Sequence, residues 1–149
     1  MEDLYKNTRE FMTQLISNNH NIVMRSITVK SRKDLKQMKI LDLCGGTGSH
    51  ADVFTGYVNR LTIVDRSEDV LKVTRNKNRL IRTVHLNIFE YSFDMDYNII
   101  LCMYGAIHYN KDLQKIQQLI RKTKQYLKPG GKVLSDFRYS DYLRENNCL

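Results

Sequence analysis

Residues 40–51 read ILDLCGGTGSHA, and this stretch decides the fold. Ile40, Leu41 and Leu43 make a short apolar run interrupted by one acid, Asp42, and Gly45, Gly46 and Gly48 follow at once. The chain has only seven glycines, so their clustering marks a place where the backbone turns sharply or lies close to a ligand. A buried strand that runs into a glycine turn and then a helix presents bare N–H groups to a polar or anionic group.

Outward from this point the pattern is regular. KILDLC reads as a first strand, and SHADVFTGYV as a helix with Ala51, Phe54 and Val58 on one face. LTIVD is a second buried strand, and SEDVLKVTRNKN is a second helix with Ser67 at its cap and acids in its first turn. RTVHLN and YNIILCM read as the third and fourth strands. DLQKIQQLIRKTKQYL is a helix whose inner face carries Leu113, Ile116, Ile120 and Leu127; KPGG stops it and KVLSDF is a fifth strand. YSDYLREN opens a last helix. Ahead of this unit, residues 1–38 form an N-terminal helical and connector segment. Its Leu4, Phe11, Leu15 and Ile16 fall at helical spacing, and IVMRSITV fits strand or helix alike.

Strands alternating with helices imply a doubly wound, Rossmann-like α/β domain spanning residues 1–149, mostly parallel, with helices on both faces. Ligands in such sheets bind beyond the carboxyl ends of the strands. Asp65 closes the second strand, where a carboxylate accepts the hydroxyls of a ribose. Two ligands fit: a nicotinamide dinucleotide and S-adenosylmethionine. GTGSHA matches GxGxxG/A, but a dinucleotide would bring its pyrophosphate up against the loop, beside the charge of Asp42. A methyl donor brings an ammonium and a sulfonium instead, which an acidic, glycine-rich pocket suits, unless Asp42 only caps or hydrogen-bonds the turn without touching ligand.

ILDLCGGTG resembles motif I of the class I S-adenosylmethionine-dependent methyltransferases, (D/E)xGxGxG. Asp42, Gly46 and Gly48 fall on its positions, and Cys44 replaces the first glycine. LTIVDRSEDVL is similar to the segment whose acid, here Asp65, holds the adenosine ribose, with Arg66 beside it. YLKPGGKVLSDF resembles the turn into strand five. The resemblance spans residues 39 to 137 and implies a cofactor site of Asp42, Cys44, Gly45, Gly46, Gly48, Asp65 and Arg66. After strand three the family places an acid near the adenine amino group; here Asn87 is the counterpart, and Ile88 and Phe89 flank the ring or simply pack the core. Cys102 to Tyr104 would line the methyl-transfer face.

Methyl transfer is an in-line displacement in which the protein supplies position, electrostatics and sometimes a base. The candidate base or substrate contact is His108, in GAIHYN beyond strand four, with Tyr104 as a further wall. An ordinary imidazole titrates near 6.5 and suits such proton transfer. His20, His50 and His85 show no metal-ligand spacing, so no metal is expected.

The composition bounds what surrounds this chemistry. With 24 Lys and Arg against 16 Asp and Glu, the net charge of +8 suits an anionic partner such as RNA, or only a soluble surface. AIHY followed by LKPGG echoes the messenger RNA cap guanine-N7 methyltransferases, although the spacing from Cys102 to His108 differs from theirs. No apolar run approaches the ~20 residues of a membrane span, and MEDLYKNTRE is unlike a signal peptide. Three cysteines without CxxC spacing fit a reducing, cytoplasmic setting. Because little sequence follows strand five, that strand is expected as an exposed edge, open to a second copy of the chain, in a minimal or truncated enzyme. The sequence thus reads as a methyltransferase of unidentified acceptor. A non-catalytic S-adenosylmethionine-binding subunit that activates a partner is the alternative, and a nicotinamide oxidoreductase the more distant one.

Overall fold

The computed structural model describes residues 36–92, 96–103 and 106–135. The N-terminal helix, the last helix and Tyr104 expected from sequence lie outside them. Five parallel strands form one sheet: β1 (Lys39–Leu43), β2 (Arg60–Asp65), β3 (Arg82–His85), β4 (Tyr97–Cys102) and β5 (Leu127–Ser135). Their order is β3-β2-β1-β4-β5. The chain moves outward from β1 to β3, then crosses back to β4 on the other side of β1, so the switch in direction falls beside the glycine stretch. Helix α1 (Glu68–Lys77) joins β2 to β3, and α2 (Leu113–Gln125) joins β4 to β5.

β1 lies at the centre and is fully buried after its first residue, which is why it reads as an unbroken apolar run around Asp42. Side chains alternate between two cores. Leu41, Leu43, Val64, Ile100 and Cys102 face Ile116 and Leu119 of α2. Ile40, Ile63, Ile99 and Leu101 face Phe54 and Leu71 on the opposite side. The strand pairing fixes this: Asp42 stands opposite Ile63 on β2 and Leu101 on β4.

Some local expectations change. The stretch 49–58 holds only a 3-10 turn, Ala51–Phe54, because Thr55 is extended and Gly56 takes a φ of +79° that ends any helix. Ser67 makes no side-chain cap on α1. Asp112 does cap α2, accepting from the N–H groups of Gln114 and Lys115. The buried face of α2 is Ile116, Leu119 and Thr123, whereas Ile120 is 48% exposed. KPGG does not separate helix from strand. It lies inside β5, where the pairing with β4 slips between Tyr97 and Ile99. β3 and β5 are the outer strands of the described sheet. Among the described residues no helix is long and apolar enough to cross a membrane, and no cluster of His, Cys, Asp or Glu could hold a metal ion.

Candidate cofactor site

A cleft of about 440 Å³ opens beyond the carboxyl ends of β1, β2 and β3, lined by Cys44, Asp65, Arg66, Asn87, Ile88, Phe89, Ala106 and Asn110. Its volume is in the range of small-molecule sites. Five of the residues expected at a cofactor therefore meet at one surface: Cys44, Asp65, Arg66, Asn87 and Ile88. Phe89 joins them, half-buried beside the buried Ile88. Asn110 and Ala106, from the segment after β4, close the far wall; neither stood out in the sequence, since a small residue and an amide carry no motif.

Asp65 is the organising group. One carboxylate oxygen accepts the Gly46 N–H at 3.1 Å and the other accepts the Ser67 N–H at 2.9 Å. It thereby ties the glycine loop of β1 to the end of β2. Each carboxylate oxygen has two lone pairs, so acceptor capacity is left for hydroxyls entering the cleft. The side-chain carbonyl of Asn87 accepts the Phe89 N–H at 3.1 Å, which fixes the turn that presents Ile88 and Phe89.

The loop itself uses left-handed backbone at Cys44 (φ 56°), Gly46 (φ 56°) and Gly48 (φ 79°). For the two glycines this costs little, but for Cys44 it is strained, and its position is where the resembled motif carries glycine. The Cys44 thiol is pushed up to about 12, by burial first and then by the negative charges of Asp65 and Asp42. A thiol so held stays protonated at neutral pH and acts as a small apolar wall.

Asp42 lies elsewhere than the cleft wall. It is 1% exposed, on the α1 side of the sheet, and Gly45 packs directly over its carboxyl. Neither carboxyl oxygen has a hydrogen-bond partner. Burial, reinforced by the charge of Asp65, raises its pKa to about 8. A buried acid without a partner, directly under the loop, is the feature a bound cation would explain. Cys102 also falls outside the cleft: alternation along β4 turns it to the α2 side, into an apolar cavity with Leu43, Ile107 and Leu119. His108 is carried on the 3-10 segment Ala106–Tyr109, whose first residue borders the cleft.

This sheet order, with an acid-tipped second strand and a glycine loop at the switch point, defines a Rossmann-like fold of the class I methyltransferase kind. A family model described as a methyltransferase domain matches residues 40–131, and the chain belongs to that family. A curated relative, the ubiquinone/menaquinone biosynthesis C-methyltransferase UbiE of Shewanella sediminis, is 29% identical over 135 residues, covering 84% of this chain and 52% of the relative. The chain thus spans about half the length of such relatives. Among solved structures, an S-adenosylmethionine-dependent methyltransferase from Clostridium acetobutylicum superposes with a TM-score of 0.71 at 19% identity, covering 88% of this chain and 56% of that one. The N-methyltransferase NodS from Bradyrhizobium japonicum, in complex with S-adenosyl-L-homocysteine, gives 0.71 at 16% identity, covering 88% and 66%.

Proposed function

We propose that the chain binds S-adenosylmethionine in the cleft and transfers its methyl group to a small organic acceptor. The observation that carries this reading is the pairing of Asp65, at the mouth of the cleft, with the partnerless Asp42 carboxyl beneath the loop. Asp65 accepts the ribose hydroxyls while keeping its two backbone bonds. Ile88 and Phe89 hold the adenine ring by apolar contact, with Asn87 at its edge. Asp42 acts through the loop by its charge, favouring the ammonium and sulfonium end. When bound, the cofactor supplies an electrophilic methyl on a cationic sulfur, so the protein's part is placement and exclusion of water. His108, on the segment bordering the cleft, orients the acceptor or takes its proton.

The likeness to the Shewanella enzyme, a C-methyltransferase of ubiquinone/menaquinone biosynthesis, makes a carbon atom of a quinone precursor the first acceptor to test. Labelled methyl transfer to quinone-precursor, amine and RNA pools separates acceptor classes. No transfer to any of them, with tight cofactor binding, returns the reading to a non-catalytic subunit.

Asp65→Ala is expected to weaken S-adenosylmethionine binding at least 100-fold in calorimetry, because ribose contacts and the loop tether are lost together. Unchanged affinity rejects the ribose assignment, and tighter binding of NAD than of S-adenosylmethionine by the wild type rejects the whole reading. His108→Ala is expected to lower kcat at least tenfold while cofactor affinity stays within threefold. An unaltered kcat takes His108 out of the reaction.

A further inference from the structure

Gly46 is held from both sides. Its N–H donates to Asp65, and its carbonyl accepts the hydroxyl of Thr74, on α1, at 2.9 Å. Thr74 is 1% exposed, and its methyl lies 3.3 Å from where a side chain on Gly48 would begin. The same hydroxyl approaches its own helix only at 3.4 Å, at the Val70 carbonyl. With one proton to give, it serves the shorter contact. Its β-branched side chain is not an intrinsic helix favourite, so helix propensity does not account for it.

We propose that Thr74 is a positioning residue for the cofactor loop. The Asp65 and Thr74 bonds grip the two successive peptides that flank the Gly46 Cα, and together they lock its left-handed φ. Since the peptide is planar and trans, pulling the Gly46 carbonyl toward α1 turns the Thr47 N–H the opposite way. The helix thus sets the direction of the Thr47 N–H, between two amides that are already engaged, Gly46 with Asp65 and Gly48 with the Gly45 carbonyl. This deepens the cofactor reading above and rests on it for its consequence, but the latch itself is testable without ligand.

The experiment compares the wild type with Thr74→Val, Thr74→Ser and Thr62→Val. Valine keeps the shape and removes the hydroxyl; serine keeps the hydroxyl. Thr62 is a buried control on β2 whose hydroxyl makes no hydrogen bond. In the ligand-free protein, amide exchange at Gly46 and Gly48, whose N–H groups donate to Asp65 and to the Gly45 carbonyl, should quicken at least tenfold in Thr74→Val, and not in Thr74→Ser or Thr62→Val. Calorimetry at a temperature where all variants are folded by circular dichroism should show S-adenosylmethionine affinity reduced tenfold or more in Thr74→Val alone. Unchanged exchange in Thr74→Val, or serine as impaired as valine, overturns the latch. If the variants show this exchange pattern but the wild type does not bind S-adenosylmethionine, the latch stands and the cofactor reading falls. If the wild type binds and Thr74→Val binds within threefold, the positioning role falls and the cofactor reading stands.

Discussion

Replacing Asp42 by asparagine is expected to stabilise the ligand-free protein at pH 8 and to weaken S-adenosylmethionine binding at least tenfold. The carboxyl is buried without a partner, and its pKa is raised to about 8, by burial first and Asp65 second, from an ordinary 3.8. The native protein therefore keeps a proton that the unfolded chain releases. The stability linked to this group is fully present below about pH 4, falls as pH climbs toward 8, and is flat beyond. The loss is at most about 1.4 kcal/mol per pH unit. Asparagine is neutral throughout, so it abolishes the slope and gains on the order of a few kcal/mol at pH 8. Urea titrations at pH 5, 6.5 and 8 measure this directly; wild-type and variant midpoints that stay parallel across the three would contradict it.

The cofactor side has the opposite sign. A cation above the loop favours the ionised carboxyl, so binding to the wild type releases a proton below pH 8. Affinity should rise from pH 6 to 8 in the wild type and stay flat in Asp42→Asn. An asparagine variant that binds as well as the wild type at pH 8 removes Asp42 from cofactor recognition.

The largest loss of stability is expected from Gly45→Ala. A Cβ there would stand 2.7 Å from both Cγ and Oδ2 of Asp42 and 2.9 Å from Cγ2 of Ile63. Asp42 and Ile63 face each other across paired central strands and are both buried, so neither can swing aside into solvent. Overpacking of this kind costs about 3 kcal/mol, roughly a 10 °C fall in Tm for a domain of this size. Gly46→Ala provides the contrast. Its Cβ would meet only Val70, at 3.7 Å, leaving the left-handed φ as the cost, about 1 kcal/mol. Thermal melts should rank Gly45→Ala well below Gly46→Ala; the reverse order would mean that the loop does not rest on Asp42 as described.

Gly45 also shows where motif reading stops. In the resembled pattern it occupies a variable position, while Gly46 and Gly48 carry the signal, yet Gly45 is the most crowded glycine of the loop. The strands were legible because a parallel strand covered on both faces must be an apolar run, and the helices between them follow from spacing and breakers. The first helix is only a 3-10 turn, since three apolar residues at helical spacing do not outweigh Gly56 in a left-handed turn. The buried face of α2 came out one residue away from expectation, with Leu119 inside and Ile120 half outside. A step of one residue turns the side chain about 100° round a helix, and only packing against the sheet fixes that angle.

By itself the sequence determined the alternation of strands and helices, the glycine turn after β1, the acid that closes β2 and the family to which they belong. These depend on composition and spacing within a few residues. The tertiary structure decided what spacing cannot encode. Alternation along β4 sent Cys102 to the α2 core, and the register of β1 with β2 put Asp42 under Gly45 and out of the cleft wall. The fold also brought Thr74, from a helix 28 residues downstream, onto the Gly46 carbonyl. A contact between distant segments is fixed by sheet register and helix rotation, and both are set by the packed core as a whole.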